Sequence, residues 1–166
     1  RSTRNESSAA SDMYKRQPYG VDLIQKYKRE SWIVFTENKK QAKEFNKIIN
    51  TKGFKSALYN TDLDSTERLE NLNKFKKADL NVLVTCTALD EGFDMPEADG
   101  ALILSASSSK RQRVQRMGRV LRITENKPNA LIVTVYSSKT EFDKLMEEAK
   151  RYHKEGVPVS WKRQDR

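Results

Sequence analysis

Between Ser109 and Arg122 the sequence reads Ser-Lys-Arg-Gln-Arg-Val-Gln-Arg-Met-Gly-Arg-Val-Leu-Arg. Six of these fourteen residues are basic and none is acidic. Arg116, Arg119 and Arg122 recur at three-residue spacing, so on a helix they point in similar directions over one or two turns. Gathering guanidinium groups costs repulsion unless something anionic lies opposite. Two readings are open on this stretch alone. It is a solvated basic helix, or it is a phosphate-binding element, for which the planar donor fork of arginine is suited.

The elements that must hold this stretch are legible from hydrophobic periodicity. Trp32 to Thr36, Asn81 to Thr85 and Gly100 to Ser105 are short apolar runs, as expected of strands buried on both faces. Lys55 to Tyr59 is a shorter strand, and Asn129 to Tyr136 is the longest strand candidate. Helices are expected over Tyr19 to Glu30 and over Asn38 to Lys52, the latter stopped by Gly53. Asp64 or Ser65 caps a third, with Leu69, Leu72 and Phe75 as its buried stripe. A last helix runs from Thr140, as N-cap, to Glu155, with Phe142, Leu145 and Met146 buried and Gly156 beyond it. Alternating strands and helices at this spacing predict an α/β fold: an open, doubly wound parallel sheet with helices on both faces.

In such sheets function gathers past the carboxyl ends of the strands. That rule selects Thr36-Glu-Asn-Lys39, the stretch Thr85-Cys-Thr-Ala-Leu-Asp-Glu-Gly-Phe-Asp-Met-Pro96, and the loop from Ser105 into the arginine-rich stretch. Thr36 and Thr85 either hold nucleic-acid phosphates, together with the exposed amides of the next turn, or simply cap the next helix. Asp90 and Glu91 lie too far past Val84 for a magnesium-binding pair at a strand end. Gly92 permits close backbone approach and Asp94 can accept a bond from a ribose hydroxyl, unless the pair only builds a tight turn.

Composition bounds the partners. The chain has 166 residues and a formal net charge of +9, from 32 basic and 23 acidic side chains. That excess favours polyanions without specifying one. One cysteine, Cys86, excludes a disulfide framework and a cysteine-based zinc site; the one histidine, His153, reads as a surface residue. No apolar run approaches bilayer length, so an intracellular protein is expected, cytoplasmic if prokaryotic or viral and nuclear if eukaryotic. Neither a Walker loop nor a dinucleotide fingerprint is present. Charge-neutralising arginines without a triphosphate cradle fit one half of a composite ATP site, whose cradle and magnesium come from another domain. The sequence begins at Arg1 and reads as a fragment of a longer protein. Its expected parts are an arm or linker over 1–18, a domain over 19–156, and a basic tail over 157–166.

Taken together, these segments resemble the second RecA-like domain of the superfamily-two helicases. Val84 to Ala98 resembles motif V, Gln115-Arg-Met-Gly-Arg-Val-Leu-Arg122 resembles motif VI, and Trp32 to Thr36 resembles motif IV. Ser65-Thr-Glu-Arg68 resembles the arginine-bearing segment that follows motif IV. The set arrives in the family's order over roughly Ser31 to Tyr136. The start of the arginine-rich stretch is most similar to the XPB-type DNA helicases and translocases.

The resemblance implies an ATP-hydrolysing helicase with ATP and Mg2+ bound in a cleft against a first RecA-like domain, which supplies the magnesium ligands. It implies DNA as partner, with RNA possible, and makes the chain alone inactive. It places Arg119 and Arg122 at arginine-finger positions, Gln115 and Arg116 at coupling positions, and Gly92 and Asp94 near the γ-phosphate and ribose. Thr36, Asn38, Thr85, Cys86 and Thr87 fall where the family contacts the nucleic-acid backbone. Cys86 departs from the usual Thr or Ser and offers only a weak donor. Lys110 stands where Arg is common, keeping charge but losing bidentate geometry. A non-catalytic interaction module on the same fold is the alternative.

Overall fold

The computed structural model describes residues 15–86, 98–105, 107, 131–156 and 158–162. The chain divides into two compact units, residues 1–135 and 136–166. The first unit is built on five strands: β1 (Trp32–Phe35), β2 (Ser56–Leu58), β3 (Val82–Thr85), β4 (Gly100–Ile103) and β5 (Leu131–Thr134). They lie in the order β2-β3-β1-β4-β5, and every pairing is parallel. The three apolar runs thus occupy the centre of the sheet, where neither face meets water.

Alternation along each strand separates two cores. Trp32 and Val34 of β1, with Val82 and Val84 of β3 and Leu102 of β4, point to one face. There they meet Val21 and Ile24 of α1, a helix through residues 15–26, and Ala42, Phe45 and Ile49 of α2 (Lys39–Thr51). Ile33, Phe35, Leu83, Ala101 and Ile103 point to the other face, against Leu72 and Phe75 of α3 (Ser65–Lys76). The expected α/β sheet with helices on both faces is therefore the observed one.

Several local expectations need correction. Helix α1 is already formed at Lys15 and ends at Lys26, so the boundary drawn at Pro18 falls inside it. Arg16 and Gln17 are buried, so residues 15–18 are part of the fold rather than of an arm. Leu69 is 57% exposed. Residues at i and i+3 drift by about 60° per step, so the outermost of three in a row lies at the margin of the inner face. Asn71, which donates to the Leu58 carbonyl at 2.9 Å, shares the inner face with Leu72 and Phe75 instead. Strand β5 is an edge strand of four residues with Ile132 exposed, no longer than its neighbours; Asn129 lies outside the described residues.

The two compact units part after Val135, within the span expected as one domain, and both sheet cores draw their buried residues from the first. The second unit carries α4 (Lys139–Lys154), capped by Ser138 rather than Thr140. Ser138 Oγ accepts from the Glu141 amide at 3.2 Å, and the Glu141 carboxylate accepts from the Ser137 amide at 2.9 Å. Leu145 is buried as expected, whereas Met146 is exposed. Tyr136, Phe142 and Trp161 form an aromatic cluster, with the Phe142–Trp161 ring centroids 5.1 Å apart. His153 is exposed. No helix among the described residues is long and apolar enough to cross a membrane.

Candidate functional site at the carboxyl edge of the sheet

Because all pairings are parallel, the chain leaves every strand on the same edge. Past β1, Thr36 continues the ladder: its amide donates to the Thr85 carbonyl at 2.9 Å. Its hydroxyl is directed inward, within 3.2 Å of the Asn38 carbonyl and 3.4 Å of the Thr85 carbonyl. Asn38 caps α2, its side-chain oxygen accepting from the Gln41 amide at 3.0 Å. Gln41 reciprocates by accepting from the Glu37 amide at 3.2 Å. These bonds consume amides that a helix start leaves unpaired, and they fix the turn.

Past β2, the Tyr59 amide donates to the Val84 carbonyl at 2.8 Å. Buried Asn60 closes an Asx turn, its side-chain oxygen accepting from the Asp62 amide at 3.1 Å. Lys39, at the start of α2, donates to Asp62 at 2.7 Å and ties this loop to the first. That bond, more than the general field of Lys39 and Lys43, holds the Asp62 carboxyl below its ordinary range. Asp64 then caps α3, accepting from the Glu67 amide at 2.8 Å.

Past β3, Thr85 and Cys86 are both buried. The Thr85 hydroxyl and the Asn60 side-chain nitrogen are buried with no hydrogen-bond partner among the described residues. Past β4, Arg16 of α1 donates to the Leu104 carbonyl at 3.3 Å. The Ser105 hydroxyl donates to the Glu37 carboxylate and accepts from the Ser107 amide at 3.2 Å.

Of the residues expected to meet nucleic acid, Asn38 is exposed, while Thr36, Thr85 and Cys86 are buried. Thr36 and Asn38 share one turn, joined to Thr85 and Cys86 through the Thr36 amide. Thr87 lies outside the described residues, as do Gly92, Asp94, Gln115, Arg116, Arg119 and Arg122. Glu37, Asp62 and Arg16 are participants that the sequence did not single out. Arg16 sits among polar residues, and nothing in its surroundings marked it as buried. Among the described residues no group of three or more His, Cys, Asp or Glu side chains is placed to hold a metal ion.

An all-parallel five-stranded sheet with helices on both faces is the RecA-like architecture of helicase C-terminal domains. The chain belongs to the helicase conserved C-terminal domain family, whose pattern matches residues 17–124. It is 36% identical, over 72% of its length, to the DNA 3'-5' translocase XPB2 of Sulfurisphaera tokodaii. It is 27% identical, over 76% of its length, to the ATP-dependent rRNA helicase RRP3 of Scheffersomyces stipitis. The chain spans 26% of the length of each of these relatives. The fold matches the C-terminal domain of the DEAD-box protein Dbp5 with a TM-score of 0.70 at 19% identity, covering 85% of this chain and 80% of that one. A DEAD-box protein from Methanococcus jannaschii matches with a TM-score of 0.63 at 20% identity, over 84% of this chain and 37% of that one.

Proposed function

We propose that the chain is the second motor domain of a longer, ATP-dependent superfamily-two DNA helicase or translocase. The observation that carries this reading is the convergence of the β1, β3 and β4 exits on one sheet edge, with the stretches that resemble motifs IV, V and VI lying on or beyond these strands in the family's order. In this reading Arg122, with Arg119, neutralises charge developing on the transferred phosphoryl group. Gln115 and Arg116 couple the phosphates to the first domain, and Gly92 and Asp94 lie against phosphate and ribose. The first RecA-like domain supplies the phosphate cradle and the magnesium ligands.

The grip on nucleic acid belongs to the turns more than to the threonine side chains. Thr36 and Thr85 are 1% and 0% exposed: the Thr36 hydroxyl bonds within its own turn, and the Thr85 hydroxyl is shut in with no partner among the described residues. Contact with a phosphate then falls to exposed Asn38 and to backbone amides, which bind phosphate without reading sequence. Cys86, also buried, packs with the apolar core that α1 and α2 cover.

DNA is the favoured substrate because the 36%-identical relative is a DNA translocase, against 27% for the rRNA helicase. The rRNA helicase relatives support an RNA-directed motor as the second reading. ATPase stimulation of the full-length protein by matched DNA and RNA strands, titrated in salt, separates the two. Stronger stimulation by DNA at each salt concentration is expected; stronger stimulation by RNA overturns the substrate assignment. The chain by itself is expected to lack magnesium-dependent ATPase activity, and substantial turnover by it contradicts the two-domain site.

A further inference from the structure

The β1–β4 register pairs Phe35 with Ile103. Continued two residues past the strand ends, it sets Glu37 opposite Ser105. Backbone pairing has stopped there, and a side-chain bond replaces it: the Ser105 hydroxyl donates to the Glu37 carboxylate. Ser105 is 1% exposed. The same hydroxyl oxygen accepts the Ser107 amide, so one group holds both the strand end and the turn beyond it.

Each partner is anchored. The Glu37 amide is held by Gln41 in the first turn of α2. The carbonyl of Leu104, one residue before Ser105, accepts from Arg16, which is 4% exposed on α1. Two helices on one face of the sheet thus clamp a single point of the chain. Two residues after Ser107 the sequence enters the arginine-rich stretch at Ser109.

We propose that Ser105 and Glu37 are positioning residues, which fix where the chain departs toward Arg119 and Arg122, and that Arg16 braces them from α1. The inference rests on the motor reading above. It assigns the pair a part in turnover and none in nucleotide binding. Removing the hydroxyl takes that partner from the part-buried Ser107 amide and from the Glu37 carboxylate and loosens the departure point, while every arginine remains in the chain.

The test is nucleic-acid-stimulated ATPase of the full-length protein with separate kcat and KM for ATP. Ser105→Ala is expected to lower kcat about five- to twenty-fold with KM changed less than twofold, less than the roughly 10²-fold that a full 1 Å misplacement of catalytic groups can cost. Ser105→Thr, which keeps the hydroxyl, is expected to restore kcat to within about twofold. Glu37→Ala is expected to match Ser105→Ala, and the double variant to be no worse than either single one, as for a coupled pair. Glu37→Gln keeps an acceptor and is expected to fall nearer the parent.

Equal kcat for Ser105→Ala and parent overturns the proposal, as do multiplicative losses in the double variant. So does a kcat loss that Ser105→Thr fails to restore while its melting temperature matches the parent. Arg122→Ala, run in parallel, separates the two claims. If it leaves turnover intact, the motor reading itself fails. If it abolishes turnover while Ser105→Ala does not lower it, only the positioning role fails.

Discussion

Gly100 begins β4 directly across from Trp32, its partner in the β1–β4 register. A Cβ placed there meets Trp32 Cε3, Cζ3 and Cδ2 at 2.7, 2.8 and 2.9 Å. Ordinary carbon contacts lie at about 3.5–4.0 Å, so Gly100→Ala demands a shift of close to 1 Å. The ring cannot supply it cheaply, because Trp32 is 1% exposed and packed within the core that α1 and α2 cover. The backbone cannot either, because β4 is paired with β1 on one side and β5 on the other. Overpacking of this kind costs about 1–3 kcal/mol. With a urea slope of about 2 kcal/mol/M, a loss of about 2 kcal/mol lowers the unfolding midpoint by about 1 M. Urea unfolding followed by far-ultraviolet circular dichroism reads the midpoint. Gly53→Ala is the control for backbone strain without crowding: Gly53 has φ +88° and nothing within 4 Å of an added Cβ. Adding Trp32→Phe to Gly100→Ala is expected to return part of the loss, since the two sites are in contact. An unchanged midpoint for Gly100→Ala refutes the tight seating of Trp32 on this strand.

Three further outcomes follow from the same geometry. Asp64→Ala removes the acceptor for the Glu67 amide and is expected to cost about 1 kcal/mol, read as a lower urea midpoint; Asp64→Asn should retain most of it. The Asp62 carboxyl titrates below its ordinary range because Lys39 bonds it, and Lys39→Ala is expected to move it back upward in an NMR titration. A depressed carboxyl contributes stability above its unfolded-state pKa and loses it as pH falls through the lowered folded-state value. Because the pair is exposed, that acid-side effect is small and fades with added salt. An Asp62 titration unaffected by Lys39→Ala contradicts the bridge between the two loops. For the chain alone, no magnesium-dependent ATP hydrolysis above background is expected, in a colorimetric phosphate assay with and without DNA.

The parts of the fold that the sequence made legible are those where one strong signal dominates. Trp32 to Phe35 and Val82 to Thr85 are apolar on consecutive positions because both faces of the central strands are covered. Asp64 was legible as a cap because a short polar side chain precedes apolar periodicity, and Gly53 as a stop because glycine accepts the positive φ found there; Asn38, expected as the first residue of α2 with Thr36 as candidate cap, is itself the cap. The Ser138-Lys-Thr-Glu141 capping pattern was present too, but Thr140 competed with it. The start of α1 was illegible because Lys15, Arg16 and Gln17 are polar; burial of Arg16 depends on the Leu104 carbonyl, 88 positions away in the chain. The candidate site was legible as a set of strand exits. The inward turn of the Thr36 hydroxyl and the Ser105–Glu37 bond were not, because strand register decides both.

The central claim is that Arg122 completes an ATP site shared with a first RecA-like domain. The most direct measurement is nucleic-acid-stimulated ATPase of the full-length protein bearing Arg122→Ala, alongside its affinity for a fluorescent ATP analogue. Loss of stimulated kcat by about 10³-fold or more, in the range of arginine fingers, is expected, with analogue affinity changed by only a few-fold. Parent-like turnover, or loss of affinity in proportion to turnover, contradicts the claim.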